Sequence, residues 1–417
     1  MLACAAMRLA QSHLMLPSRP RGLSSRLALA LCCLSSIALP LIACAPDQAS
    51  PFSAVVIAWD PGTQVYKLAQ VPLRTVTSLR TLQGTSGNVE AGGSVVLSAQ
   101  RVSAQGATVS SLRAQSFTGI PGPVTIEFNT ANGLIYPEDY DALELLSFYA
   151  ALEKTRAQLA GFGFTNLSAS PIFAHTNVRD GNGLSPLGDG ELFLAPLNAF
   201  FLPPVTAQQQ LPPQLNLGAV AHAVGLQAYQ QVIWSGAPVD PATAVSPDDP
   251  GALTAIHVAQ SVRMGIADFL GAIITQDPRW FDHSLQQTAG ARALDQLRCG
   301  TSAMLQALDV PDSVVPYDPY PLGTVLAYSL WDAAQSGDST AVATGLLASL
   351  SGVAAAQSDN GNKLDLAAAL DAVVSATSSD QQGTLCGDFL DRFKSLSVTD
   401  LPSCNLIGIN APTQSCQ

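Results

Sequence analysis

The chain has 417 residues, with 19 Lys and Arg against 31 Asp and Glu, a formal charge of −12, and 12 % charged residues beside 47 % apolar ones. This combination excludes a disordered acidic chain, which needs low hydrophobicity and dense charge, and the absence of a basic patch after Arg26 excludes a nucleic-acid binder of the usual kind. The length is enough for a large core and for about two domains of roughly 150 residues each.

In chain order, residues 1–43 come first. Arg8, Arg19, Arg21 and Arg26 are the only charges before Asp47, and an apolar run over 27–43 follows them, interrupted by Ser35, Ser36 and Pro40. A basic stretch, a short apolar stretch and a small residue before the cut describe a secretory signal. The run is shorter and more broken than the ~20 apolar residues of a membrane span. Leu41-Ile42-Ala43-Cys44 resembles a bacterial lipobox. That resemblance implies a lipoprotein signal peptide over 1–43, acylation of Cys44 as the first mature residue, and membrane attachment through its lipid. Ala45, rather than Asp, follows the cysteine, which by resemblance to Gram-negative lipoproteins points to the outer membrane. Met7 and Met15 are alternative starts to Met1. Residues 44–53 read as a polar tether. The mature chain would carry 15 basic and 31 acidic residues, a surface kept off anionic headgroups.

From 54 to 128 the pattern is strand-like, with β-branched runs at 54–59, 94–98 and 124–128 punctuated by Gly and Pro. Helical periodicity begins near Asp139, where Leu145, Leu146, Tyr149 and Leu152 recur at three- and four-residue steps; Asp139 or Asp141 can cap the helix and Gly161 can end it. Residues 171–204 return to loops and short strands. Two central helices are expected over 217–234, capped by Asn216, and over 251–275. Later helices are expected at 292–308, 322–334, 340–356, 364–375 and 385–395. The fold class is therefore α+β: a β-rich N-terminal region over 54–128, then a mixed region and a mostly helical C-terminal lobe within 129–417. Cys299, Cys386, Cys404 and Cys416 suit an oxidising envelope and two disulfides, with three pairings open. Their spacing is not that of a CxxC metal site. The stretch 359–365 reads as a turn capping the next helix rather than as a calcium loop.

Three stretches carry a family resemblance: Gly218-Ala219-Val220-Ala221-His222-Ala223-Val224-Gly225-Leu226, Met264-Gly265-Ile266-Ala267-Asp268-Phe269 and Gly323-Thr324-Val325-Leu326-Ala327-Tyr328-Ser329-Leu330-Trp331-Asp332. Together, with the helix at 135–161 upstream, they resemble the core of thermolysin- and fungalysin-like zinc peptidases, the gluzincins. In that family two histidines four residues apart on one helix grip zinc, and the glutamate between them activates water. A carboxylate from the next helix completes the ligand set, and an aspartate four residues later orients the first histidine. Carried over by position, His222 stands at the first zinc histidine and Asp268 at the orienting aspartate. Ala223 replaces the general base, Leu226 the second histidine and Met264 the third ligand. A methyl group takes no proton and an isobutyl group binds no cation. The resemblance thus implies a degenerate site with no catalytic residue and no zinc. The expected function is that of a non-catalytic, lipid-anchored envelope protein holding a peptide or protein partner in the vestigial cleft. The alternative is an active hydrolase using non-standard residues, for which a His257–Ser261 pair at helical spacing is a candidate.

His222 shares an otherwise mostly apolar stripe with Leu226, Tyr229 and Ile233, so it is expected to be buried. A buried imidazole without a partner costs roughly 1–3 kcal/mol, and Asp268 is its expected partner. His283 is expected to be partly buried and His175 exposed.

Overall fold

A computed structural model describes residues 52–417 except 105–106, 120, 181–191, 204–210, 238–250, 285–288, 312–316, 410–415 and 417. The expected signal peptide, Cys44 and most of the tether lie outside the described residues. The fourteen described strands are β1 (Phe52–Asp60), β2 (Val65–Leu73), β3 (Val76–Ser78), β4 (Gln83–Gly84), β5 (Gly87–Ala91), β6 (Ser94–Ala104), β7 (Ala107–Thr118), β8 (Gly122–Pro123), β9 (Phe128–Ala131), β10 (Leu134–Pro137), β11 (Ile172–Ala174), β12 (Asn177–Asp180), β13 (Phe193–Leu194) and β14 (Ala199–Leu202). Helix α1 (Tyr140–Gly161) separates β10 from β11. After the strands come α2 (Leu217–Ile233), α3 (Ala252–Thr275), α4 (Ala289–Arg292), α5 (Ser302–Ala307), α6 (Tyr320–Ser336), α7 (Ser339–Asp359), α8 (Leu366–Ala376), α9 (Ser379–Arg392) and α10 (Pro402–Leu406). The fold is α+β, with strands first and helices last.

Among the described residues the strands form three sheets. In one the order is β2-β1-β10-β9, with β1 and β10 parallel. In the second it is β13-β14-β11-β5-β4-β3, with β8 added beside β5. The third is β12-β6-β7. The boundary expected at 128 falls inside shared sheets, because β5 pairs with β11 and β6 with β12, both parallel. Residues 54–128 are therefore built together with later strands. In β1 the buried side chains are Ala54, Val56 and Trp59, and α1 covers this strand. Asp139 caps α1 by accepting from the Ala142 amide at 2.7 Å, one of the orphan donors at a helix start. Midway along α1, Ser147 Oγ accepts from the Ile57 amide at 2.9 Å, tying helix to strand. One turn and a half later, buried Glu153 accepts the amides of Arg74 and Thr75 at 2.8 and 2.7 Å, where β2 gives way to β3.

Asn216 joins three parts of the chain. Its Oδ1 accepts from the Gly218 amide at 2.9 Å, capping α2, and from the Tyr66 hydroxyl of β2 at 2.7 Å. Its Nδ2 donates to the Trp280 carbonyl and to Ser284 Oγ, both at 2.9 Å. The Trp59 indole of β1 donates to the Thr275 carbonyl at the end of α3, 2.8 Å away.

Helices α2, α3 and α6 are packed through glycines. A Cβ on Gly265 would stand 2.5 Å from the Gly323 carbonyl oxygen, and one on Gly323 would stand 2.8 Å from that of Ser261. Between α2 and α3, a Cβ on Gly225 would lie 3.0 Å from the Ala267 Cα. Side chains on Gly218 and Gly271 would run into the Trp280 ring, at 2.7 and 2.5 Å. The family-like stretches are thus rich in small residues because backbones touch there.

The long helices follow the sequence pattern to within about three residues, except α9, which begins at Ser379 rather than at the expected 385, and the stretch 292–308. There the chain is helical only in α4 and α5, with irregular backbone between. Its polar groups go elsewhere: Leu294 N donates to the Pro278 carbonyl at 2.9 Å and Gly300 N to that of Arg392 at 2.8 Å. Cys299 is also bonded to Cys416, and Cys386 to Cys404, which selects one of the three open pairings. Asp365 caps α8 by accepting from the Ala368 amide at 3.1 Å, in keeping with a turn at 359–365.

Overpacking a tight contact costs about 1–3 kcal/mol. Gly265→Ala is therefore expected to lower stability by about that amount in urea unfolding. Gly161→Ala, whose Cβ would meet nothing within 4 Å, should leave the midpoint unchanged or raise it slightly. Equal effects of the two substitutions would contradict the backbone contact between α3 and α6.

Candidate functional site: a buried carboxylate between helices

His222 lies in the middle of α2 and Asp268 in the middle of α3, where these helices pack side by side. His222 Nδ1 is 2.8 Å from Asp268 Oδ1, and both side chains are at most 3 % exposed. The pairing expected from the sequence is present.

A third member was missed. Arg292, the last residue of α4, is 3 % exposed and grips the same carboxylate: Nη2 bonds Oδ1, and Nε donates to Oδ2 at 3.1 Å. Its guanidinium carbon stands 3.4 Å from the Phe281 ring centre and 4.0 Å from that of Tyr320. The cation is therefore sandwiched between aromatic faces while its edge bonds Asp268, the planar geometry that distinguishes arginine from lysine. Trp280, wedged against Gly218 and Gly271, donates its indole N–H to the Asp268 carbonyl at 3.3 Å. The only sequence signal for Arg292 was a lone cation after an aromatic pair, 24 residues beyond Asp268.

Burial alone would raise the Asp268 carboxyl, but the Arg292 charge and the contact with His222 outweigh it and hold it below the usual aspartate range.

Ala223, Leu226 and Met264 are 0, 1 and 3 % exposed and belong to the main apolar core. With His222 and Asp268 these three residues are all interior, and a peptide could not reach them without parting α2 from α3. A binding face near here would have to be made by other side chains.

A zinc ion does not suit these residues. The ring nitrogen of His222 that is placed here faces a carboxylate already bonded through both oxygens to a guanidinium. Alanine and leucine offer no donor, and the thioether of Met264 is a soft ligand better matched to Cu(I) than to a hydrolytic zinc site. Among the described residues, no three His, Cys, Asp or Glu side chains come together as a metal-ligand set.

His257 and Ser261 face different partners. Ser261 Oγ shares a 2.6 Å hydrogen bond with the Tyr317 hydroxyl, and His257 Nδ1 lies 2.9 Å from the Leu308 carbonyl oxygen. The His257 ring stacks on Tyr317 with centres 4.0 Å apart. The two side chains are thus held as supports for Tyr317 rather than as a nucleophile and base. His283 Nε2 meets Asp277 Oδ2 at 2.9 Å and is 30 % exposed, and His175 is exposed.

No protein-family model matches this chain, and no curated protein matches it in sequence.

Leaving one member of a buried ion pair alone costs about 3–5 kcal/mol, whereas replacing the whole pair by apolar groups is often neutral. Asp268→Ala should therefore destabilise by about that much or fail to fold. The double variant Asp268→Leu with Arg292→Met should recover most of the loss in urea unfolding. The sign with pH follows from the lowered carboxyl. Its contribution is complete above the ordinary aspartate value and is lost as pH falls through the lower folded value. An Asp268→Ala variant as stable as the parent at pH 7 would contradict the role assigned to the pair.

Proposed function

We propose that this chain is a non-catalytic, lipid-anchored protein of the bacterial cell envelope, on a degenerate zinc-peptidase fold of the thermolysin and fungalysin kind. The observation that carries the reading is the fate of the orienting aspartate. In the peptidases it steadies a metal-bound histidine; here Arg292 is the cation that balances it. A guanidinium on the same carboxylate does the electrostatic work of holding His222 and Asp268 together, and the positions that would supply a base and two ligands are filled by Ala223, Leu226 and Met264 in the apolar core. The order of elements supports the same reading: strands, the helix α1, more strands, then the paired helices α2 and α3. Residues 1–43 and Cys44 supply the anchor, with the outer membrane favoured by Ala45. The protein's role is then to hold a peptide or protein partner at the envelope without cutting it.

Two measurements test this. The protein purified from membranes without chelator is expected to hold no stoichiometric zinc and to leave casein and generic peptide substrates intact. One tightly bound zinc per chain, or cleavage that survives repurification, would overturn the non-catalytic reading. Cys44→Ser should move the protein out of the membrane fraction or leave it as a precursor of larger mass; unchanged fractionation and mass would remove the lipid anchor.

A further inference from the structure

The sheet β2-β1-β10-β9 has one packed face and one bare face. Ladder partners share a face, and side chains alternate between faces along each strand. Ala54, Val56 and Ile135, on the side of α1, are at most 4 % exposed. The register puts Val55, Ile57, Leu68, Leu134 and Tyr136 on the opposite side: Ile57 pairs with Leu68 and Ser53 with Leu134, and Val55 and Tyr136 stand two residues further along. Leu68 is 63 % exposed and Tyr136 42 %. Among the described residues none of these five packs into the apolar core. The other positions on this face, Ser53, Gln70, Pro72, Asn129 and Ala131, carry no charge. Toward the hairpin tip the same face is covered, where Trp59 and Tyr66 pack on His283. The bare half is therefore the half at Phe52, where the chain enters β1. Single exposed apolar side chains are ordinary, whereas a contiguous apolar patch marks a protein or membrane contact.

We propose that this bare face lies on the lipid surface that holds Cys44. The proposal rests on the lipid anchor assigned to that residue. From Cys44 to Phe52 is eight residue steps, a reach of at most about 28 Å. A tether this short keeps the start of β1 beside the bilayer at an effective concentration of roughly millimolar, so a modest attraction is enough to hold the face down. A face without charge takes no ion out of water, and Tyr136 has the amphipathic ring that settles at the headgroup level. A second copy of the chain fits less well, because it brings the same excess of acidic residues with it.

The test uses the full-length lipidated protein in phosphatidylethanolamine–phosphatidylglycerol vesicles whose acyl chains carry bromine, a contact quencher of indole fluorescence. Leu68→Trp puts a reporter on the bare face, and Leu406→Trp puts one at a position 88 % exposed on α10. With the parent's emission subtracted, Leu68→Trp should lose most of its emission relative to unbrominated vesicles, and Leu406→Trp should lose none. Adding Tyr136→Asp to Leu68→Trp should restore the emission while the protein still floats with the vesicles, because the anchor is covalent. A floating protein whose Leu68→Trp emission is unquenched would overturn the proposal and leave the anchor standing; dimers on cross-linking would then give the face to a second copy. Equal quenching at both reporters would overturn the orientation. A full-length protein that does not float with vesicles would overturn the anchor and this proposal with it.

Discussion

The buried carboxylate of Asp268 is the constraint around which the central helices are arranged. A lone carboxylate in such a place would be neutralised or expelled. Arg292 gives it a bidentate cation and His222 a ring nitrogen at 2.8 Å. These partners come from α2 and α4 and the carboxylate from α3, so satisfying one charge fixes three segments together. The cation in turn needs faces as well as an edge, and Phe281 and Tyr320 supply them. That requirement places the turn after α3 and the start of α6 against the same point. Trp280 closes the gap, and Gly218 and Gly271 are glycine because its ring occupies the space a side chain would need.

Much of this was legible in the sequence, and the limits have physical causes. The Asn216 cap, the extents of α2 and α3 and the burial of His222 follow from local patterns, since capping and 3.6-residue periodicity are short-range signals; the contact of His222 with Asp268 was expected only from the resemblance to the peptidase motifs. Arg292 was not legible, because its partner lies 24 residues away across a turn and no helical spacing joins them. The stretch 292–308 has helical composition, yet its backbone donors go to Pro278 and Arg392 and its cysteine to Cys416. Tertiary bonds outweighed propensity there. The runs at 54–59 and 94–98 were readable as strands, whereas 124–127 lies between β8 and β9 without joining a ladder; parallel pairing of β5 with β11 and β6 with β12 spans more than 80 residues and leaves no mark on either segment alone. Four cysteines allow three pairings, and only the folded chain selects one.

If the proposed peptidase ancestry holds, the contact between His222 and Asp268 would once have served two purposes: orienting a ligand and joining two helices. With Ala223, Leu226 and Met264 in the apolar core, only the second purpose is served here, and it requires that the carboxylate keep a positive partner. Arg292 meets that condition with a guanidinium that bonds both oxygens of the carboxylate.

A second arginine shows why the ratio of charges matters as much as burial. Arg392, 4 % exposed, bonds Asp332 and reaches Asp388 at 2.5 Å, with Asp391 close by. Asp391 also accepts from the Cys416 amide at 3.3 Å, beside the disulfide to Cys299. One cation here faces two carboxylates, with a third beside Asp388, whereas Arg292 faces one. Burial pushes the Asp388 carboxyl up to about 6; Arg392 opposes the rise, but Asp332 and Asp391 add to it. A carboxyl raised above its unfolded value works against the fold while ionised, and that penalty disappears as pH falls through about 6. The lowered Asp268 carboxyl acts in the opposite sense and fails only in stronger acid. Mild acidification therefore relieves the disulfide-linked C-terminal end before it touches the α2–α3 crossing, and the two buried arginines set stability against pH in opposite directions.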